Sequence, residues 1–158
     1  MKVLAKVIVA YESKYGNTKR VAETIAEGAR EVSGIEAVVK ELEEVDLESV
    51  GSYDLILIGS PNHFGGPTRG AKKFIDKLGK LRLEGKYVAV FDTYIGRDFE
   101  KAVRKMEQKI GKDAPQLRIL LPGLSIFVQD MKGPVSEREL AKGKEYGIKI
   151  ANEIKSKL

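Results

Sequence analysis

Residues 8–18, IVAYESKYGNT, govern how the rest of the chain is read. The apolar run Ile8-Val9-Ala10-Tyr11 stops abruptly in a short polar loop. That loop carries two hydroxyls, Ser13 and Thr18, one side-chain amide, Asn17, and one glycine, Gly16. A helical pattern follows at once, with Val21, Ala22, Ile25, Ala26 and Ala29 on one face. A loop that opens a helix receives free backbone N–H groups and the positive end of the helix dipole. Neutral hydroxyls beside such amides suit a compact dianion such as a phosphate monoester. The loop lacks the Gly-Lys-Ser/Thr ending of a P-loop, and its one glycine does not make a dinucleotide fingerprint. A plainer reading makes Asn17 or Thr18 an N-cap and Gly16 the turn. From this loop alone the two readings stand level.

The same alternation continues along the chain. Residues 3–11, 35–42, 54–59, 87–91 and 117–128 read as strands, the last broken by Pro122-Gly123. The unbroken apolar runs at 54–59 and 87–91 are those of strands covered on both faces. Residues 17–33, 68–79, 98–110 and 136–157 read as helices. In the third, Phe99, Val103, Met106 and Ile110 share a face and Gly111 is the stop signal. Strands alternating with helices imply an α/β fold with a parallel sheet. The expected architecture is a doubly wound five-stranded sheet, order 2-1-3-4-5, with helices on both faces and residues 1–158 as a single domain. Ligands of such sheets bind beyond the carboxyl ends of the strands, where the winding reverses. The loops after strands one, three and four therefore carry the functional reading.

Composition narrows the chemistry. Apolar residues are 42% and charged residues 32%, as in an ordinary globular protein. No apolar run reaches the ~18 residues of a membrane helix. Lys6 interrupts the apolar start and no small-residue cleavage site follows, so this segment reads as a strand and the expected location is cytoplasmic. Cysteine is absent and His63 is the only histidine, which removes thiolate catalysis and leaves no support for a metal site. Redox chemistry would have to come from a borrowed cofactor. Net charge is +5 and unevenly spread: residues 1–100 carry 15 basic and 16 acidic side chains, residues 101–158 carry 13 and 7. The basic third reads first as a solvated helix face, then as a surface for an acidic partner. No aromatics interleave its lysines to stack bases, so no nucleic-acid partner is expected.

The second loop, Gly59-Ser60-Pro61-Asn62-His63-Phe64-Gly65-Gly66-Pro67-Thr68, is stiffened by two prolines and given close backbone approach by Gly65-Gly66. His63 and Phe64 offer flat surfaces, although a lone loop histidine is more often simply exposed. The third loop, Asp92-Thr93-Tyr94-Ile95-Gly96-Arg97-Asp98, adds a second ring in Tyr94 and a fixed charge in Arg97. Its plainer reading packs Tyr94 on the next helix and pairs Arg97 with Asp98. Together the three loops suit a planar ring system carrying one phosphate.

On these residues the chain resembles the flavodoxin family. Ser13, Tyr15, Gly16, Asn17 and Thr18 match its hydroxyl-rich phosphate loop after strand one. GSPNHFGGPTRGAKKFIDKL and VAVFDTYIG resemble its second and third flavin loops, and GKEYGIKIANEI its last helix. The resemblance implies a flavodoxin-like fold and noncovalent FMN. It implies that Ser13, Lys14, Tyr15, Gly16, Asn17 and Thr18 hold the phosphate, and that Pro61, Asn62, His63, Phe64 and Gly65 line one side of the flavin ring. Asp92, Thr93, Tyr94 and Gly96 would meet the other side, with Tyr94 stacking. The long insertion of long-chain members is missing, so the chain resembles the short-chain form. It departs from the carriers of that family in having no Trp and in being basic. Arg97 would favour an anionic reduced flavin.

The implied function is electron transfer by FMN between redox protein partners, acidic-surfaced ones included, as a monomer or small homo-oligomer. The alternative is an FMN-dependent NAD(P)H:quinone oxidoreductase of the same fold, which at this length would need an oligomer to complete its pocket. A phosphoacceptor signalling domain shares the strand order but needs an Asp at the end of strand three, where Gly59-Ser60-Pro61 stands.

Overall fold

The computed structural model describes residues 2–158. The strands are β1 (Ala5–Tyr11), β2 (Ile35–Glu41), β3 (Leu55–Pro61), β4 (Tyr87–Tyr94), β5 (Arg118–Ile119) and β6 (Leu124–Phe127). The helices are α1 (Asn17–Arg30), α2 (Arg69–Gly79), α3 (Lys101–Asp113) and α4 (Glu137–Ser156). All strand pairs are parallel, and the order is β2-β1-β3-β4-β5 with β6 also beside β4. The fifth position is thus shared by two short segments. β5 pairs with Tyr87 and Val88, β6 with Phe91 to Tyr94, and the break between them holds Pro122-Gly123.

Alternation along the central strands sends side chains to two cores. Val7 and Val9 of β1, Leu55 and Leu57 of β3, and Ala89 and Phe91 of β4 face α1 and α4. Ile8, Ala10, Ile56, Ile58, Val88 and Val90 face α2 and α3. Burial on both faces is why these strands read as unbroken apolar runs. β2 lies at the edge and is half-exposed, which explains its partial alternation.

α1 ends at Arg30, three residues before the sequence reading, and both boundaries of α3 differ from that reading by three. α3 begins at Lys101, and Phe99 lies outside it, exposed. The reason is tertiary: Asn62 Oδ1 accepts from Ala102 N–H and Asp92 Oδ2 from Val103 N–H, so distant strands cap this helix. At its other end α3 passes through Gly111 to Asp113, where Lys109 bonds Asp113 at 2.7 Å in the last turn. No helix among the described residues is long and apolar enough to cross a membrane.

Candidate functional site

The carboxyl ends of β1, β3 and β4 open into a crevice of about 1030 Å³. It lies where the winding reverses, between β1 and β3. Its walls include Ser13, Lys14, Tyr15, Asn17 and Thr18 from the first loop and Pro61, Asn62, His63 and Phe64 from the second. Thr93 and Tyr94 come from the third. The structure therefore brings together eleven of the fifteen side chains expected there. Gly16, Gly65 and Gly96 shape the loops, with φ of 92°, 71° and 61°. Asp92 is the fifteenth, and it stands apart: its carboxylate is fully buried beneath the loops.

The phosphate loop has the character of an anion cradle. Gly16 is the N-cap of α1 and no side chain caps that end. The first turn of α1 contains no acid. Ser13 Oγ accepts from Gly16 N–H at 3.0 Å, which curls the loop without filling it. A Cβ at Gly16 would meet nothing within 4 Å, so the space in front of the helix is open. Thr18 is 1% exposed, and its hydroxyl is 2.9 Å from that of Thr93. This pair ties the first loop to the third. The amide of Asn17 is used differently from the expectation: Nδ2 donates to Met131 O at 2.9 Å, so Asn17 can offer an anion its backbone N–H.

The second loop contains two successive left-handed residues, Phe64 (φ 53°) and Gly65. For phenylalanine that conformation is strained. The ring is also 96% exposed, 4.8 Å from the ring of His63. Across the crevice Tyr94 is held edge-on to Phe99 at 5.4 Å and tilted against Phe127 at 5.5 Å. Two aromatic walls thus flank the opening. Arg97 is exposed and does not pair with Asp98, whose partner is Lys101 at 3.2 Å.

Sequence reasoning missed a fourth wall. Val128, Asp130 and Met131, after β6, also line the crevice. A signal was available, because a parallel sheet sends every strand's carboxyl end to the same edge. The basic residues Arg69, Lys72, Lys73 and Lys105 were missed too, as were Glu12 and Glu43. Five Lys and Arg side chains line the crevice against three carboxylates, so its field favours an anion.

Asp92, expected at the flavin, does not line the crevice and is fully buried. β4 alternates, so Thr93 points to the crevice wall and Asp92 to the α3 side. Ser125 Oγ donates to its Oδ1 at 2.5 Å and Val103 N–H to its Oδ2 at 3.0 Å. Burial nevertheless pushes its carboxyl up to about 6 from 3.8. A carboxyl whose folded-state value is raised stabilises the fold below its unfolded value and loses that contribution as pH rises through the folded one. Ionising Asp92 is therefore expected to cost ~3 kcal/mol between about pH 4 and pH 7. Urea midpoints of wild type and Asp92→Asn at pH 4.5 and 7.5 check this. The difference between the two proteins must change in favour of the variant at the higher pH.

The match that decides the family is to the flavodoxin domain, whose model covers residues 8–125. The chain belongs to the flavodoxin-domain family. It is 38% identical over 93 residues to a protein named flavodoxin from Aquifex aeolicus, covering 57% of this chain and 50% of that one. The chain thus spans about half the length of that relative. It is 34% identical over 148 residues to a protein named NAD(P)H dehydrogenase (quinone) from Archaeoglobus fulgidus, covering 75% of this chain and 71% of that protein. Among solved structures, a flavodoxin from the domain Archaea superposes with a TM-score of 0.81 at 28% identity, over 95% of this chain and 99% of that one. Flavin binding is the property this flavodoxin domain shares with its family, and the uncapped α1 terminus, the open space at Gly16 and the two aromatic walls fit it.

Proposed function

We propose that this flavodoxin-domain protein binds FMN and carries electrons between redox protein partners. The observation that carries the reading is the crevice itself. An uncapped helix terminus stands at one end of it and aromatic rings flank its mouth, at the switch point of a doubly wound sheet. The flavin, when bound, supplies the redox chemistry. The chain supplies the rest. Ser13, Lys14, Tyr15, Gly16 and Thr18, with the backbone of Asn17, hold the phosphate. Pro61, Asn62, His63, Phe64 and Gly65 border one face of the ring. Thr93, Tyr94 and Gly96 border the other. The Lys and Arg residues around the mouth suit partners with acidic surfaces. We take residues 1–158 to act as one domain, in the cytoplasm, as a monomer or small homo-oligomer.

The alternative is an FMN-dependent NAD(P)H:quinone oxidoreductase. The identity to the Archaeoglobus protein of that name, over most of this chain, favours it.

The test is the visible spectrum of protein incubated with FMN, washed, and reduced stepwise without oxygen. Retained flavin with a distinct spectrum at one electron per flavin supports the carrier. Direct passage to the two-electron form, with fast NAD(P)H oxidation, supports the reductase. A colourless protein after washing overturns the cofactor assignment. A second prediction follows from the third loop. Tyr94→Ala is expected to weaken FMN roughly three- to tenfold, as loss of one aromatic contact does. Fluorescence titration reads it, and an unchanged affinity and potential would remove Tyr94 from the ring contact.

A further inference from the structure

Three helices begin around the crevice, and each breaks the usual charge rule for a helix start. Anions are favoured at that end, and cations there are opposed by the helix dipole. The first turns of α1, α2 and α3 contain no acid. They carry instead Lys19 and Arg20, Arg69 and Lys72, and Lys101 and Arg104. α4 follows the rule, with Glu137 and Glu139 in its first turn. A phosphate at α1 would account for the first exception only.

The charges of α2 and α3 meet on one face. The Cδ of Lys105 lies 3.2 Å from where a Cβ on Gly66 would stand, and that of Lys101 lies 3.5 Å from the same point on Gly65. These lysines of α3 thus reach back over the second loop, just before α2 starts. Arg69, Lys72, Lys73 and Lys105 line the crevice together, and all four are exposed. None of them is in an ion pair among the described residues. Lys101 and Arg104, by contrast, pair with Asp98 and Glu100. Glu12, whose carboxylate packs against Gly70, also lines the crevice, as do Glu43 and Asp130, and the cations stay in excess.

Four exposed cations spread over two helices do not enclose a small anion. They match a broad surface of opposite sign. Such charges speed association and select the partner more than they add affinity. Arg69 and Lys72 weaken the start of α2, and no ion pair within the chain offsets them. A local rule broken without internal compensation marks a functional surface.

We propose that Arg69, Lys72, Lys73 and Lys105 form the docking face for a redox protein that carries a cluster of Asp and Glu beside its own electron-transfer centre. This face rests on the carrier reading above. The positive field draws the acidic cluster onto the mouth of the crevice, which brings the partner's centre towards the flavin. The contact is small and short-lived, as electron-transfer encounters are.

The test is NMR of the FMN-loaded, nitrogen-labelled protein, titrated with an acidic plant-type ferredoxin in its oxidised form. At low salt, amide shifts are expected at residues 63–73 and 101–105. They should vanish at about 0.5 M NaCl, where screening leaves surface charges a reach of only a few Å. The variant Arg69→Gln/Lys72→Gln/Lys73→Gln should bind the ferredoxin at least roughly tenfold more weakly. It should melt no lower than wild type, because the dipole opposes the charges it removes. A lower melting point gives these cations a structural role and overturns the proposal. So do an absence of shifts at low salt, shifts confined to other faces, and equal affinity in the variant. Shifts on this face from NADPH, with none from ferredoxin, replace the acidic protein with a dinucleotide. A protein that keeps no FMN yet shows the expected shifts overturns the cofactor reading and leaves the docking face standing.

Discussion

Gly147→Ala is expected to destabilise the protein by at least ~3 kcal/mol, the upper end of what overpacking costs. Gly147 lies in α4 where that helix crosses α1. A methyl there would overlap the carbonyl oxygen of Ile25 and stand 3.0 Å from Ala29 N. Both obstacles are backbone, so no side chain can turn aside. Gly28 and Gly143 sit in the same contact, against Lys144 O and Thr24 Oγ1. Three glycines therefore set the spacing of the two helices. Alanine would gain about 1 kcal/mol in helix propensity. The steric term wins because it forces α4 off a core that includes Ile150, Ala151 and Ile154. Thermal melts should show a fall of roughly 6–12 °C for a chain of this size. Gly111→Ala is the control: it lies in α3 with nothing within 4 Å of its Cβ position. There propensity acts alone, and a gain of ~0.5–1 kcal/mol is expected. Equal effects at the two sites would sink the packing argument.

Thr18→Val is expected to weaken FMN binding on the order of 10- to 100-fold. The substitution keeps the shape and removes the hydroxyl. In the free protein that hydroxyl is 2.9 Å from Thr93 Oγ1, and both residues are buried. A buried polar group left without its partner costs ~1–3 kcal/mol. Under the proposed FMN reading the loss in the complex is greater in kind, because the Thr18 hydroxyl would also donate to the phosphate. The two parts separate experimentally. Thr18→Val/Thr93→Val removes both hydroxyls, so it should recover part of the stability lost in the single variant. It should not recover the affinity. Fluorescence titration and urea unfolding of the three proteins check this, and an affinity equal to wild type in Thr18→Val would remove Thr18 from the phosphate cradle.

Much of this molecule was legible in its sequence because local physics dictates it. The runs at 55–59 and 87–91 carry no charged side chain, as burial on both faces requires. The alternation of such runs with amphipathic segments implied the parallel sheet, and its order placed the crevice. Residues 13–18 by themselves left an anion site and an ordinary N-cap level, and the structure shows Gly16 at the N-cap of α1 with no side-chain cap and no acid in the first turn. The break at Pro122-Gly123 was equally visible, since proline lacks the donor a ladder needs.

Tertiary structure decided the remainder, wherever a residue's role depends on what lies opposite it. Asn17 read as a phosphate ligand, and its amide instead holds Met131 O from a loop 114 residues away. The start of α3 shifted to Lys101 because its caps come from Asn62 and Asp92, which no local pattern reveals. Asp92 and Thr93 are adjacent in sequence and looked alike as flavin contacts. The pleat of β4 sends one to the crevice and the other into the floor beneath it, because successive side chains of a strand point to opposite faces.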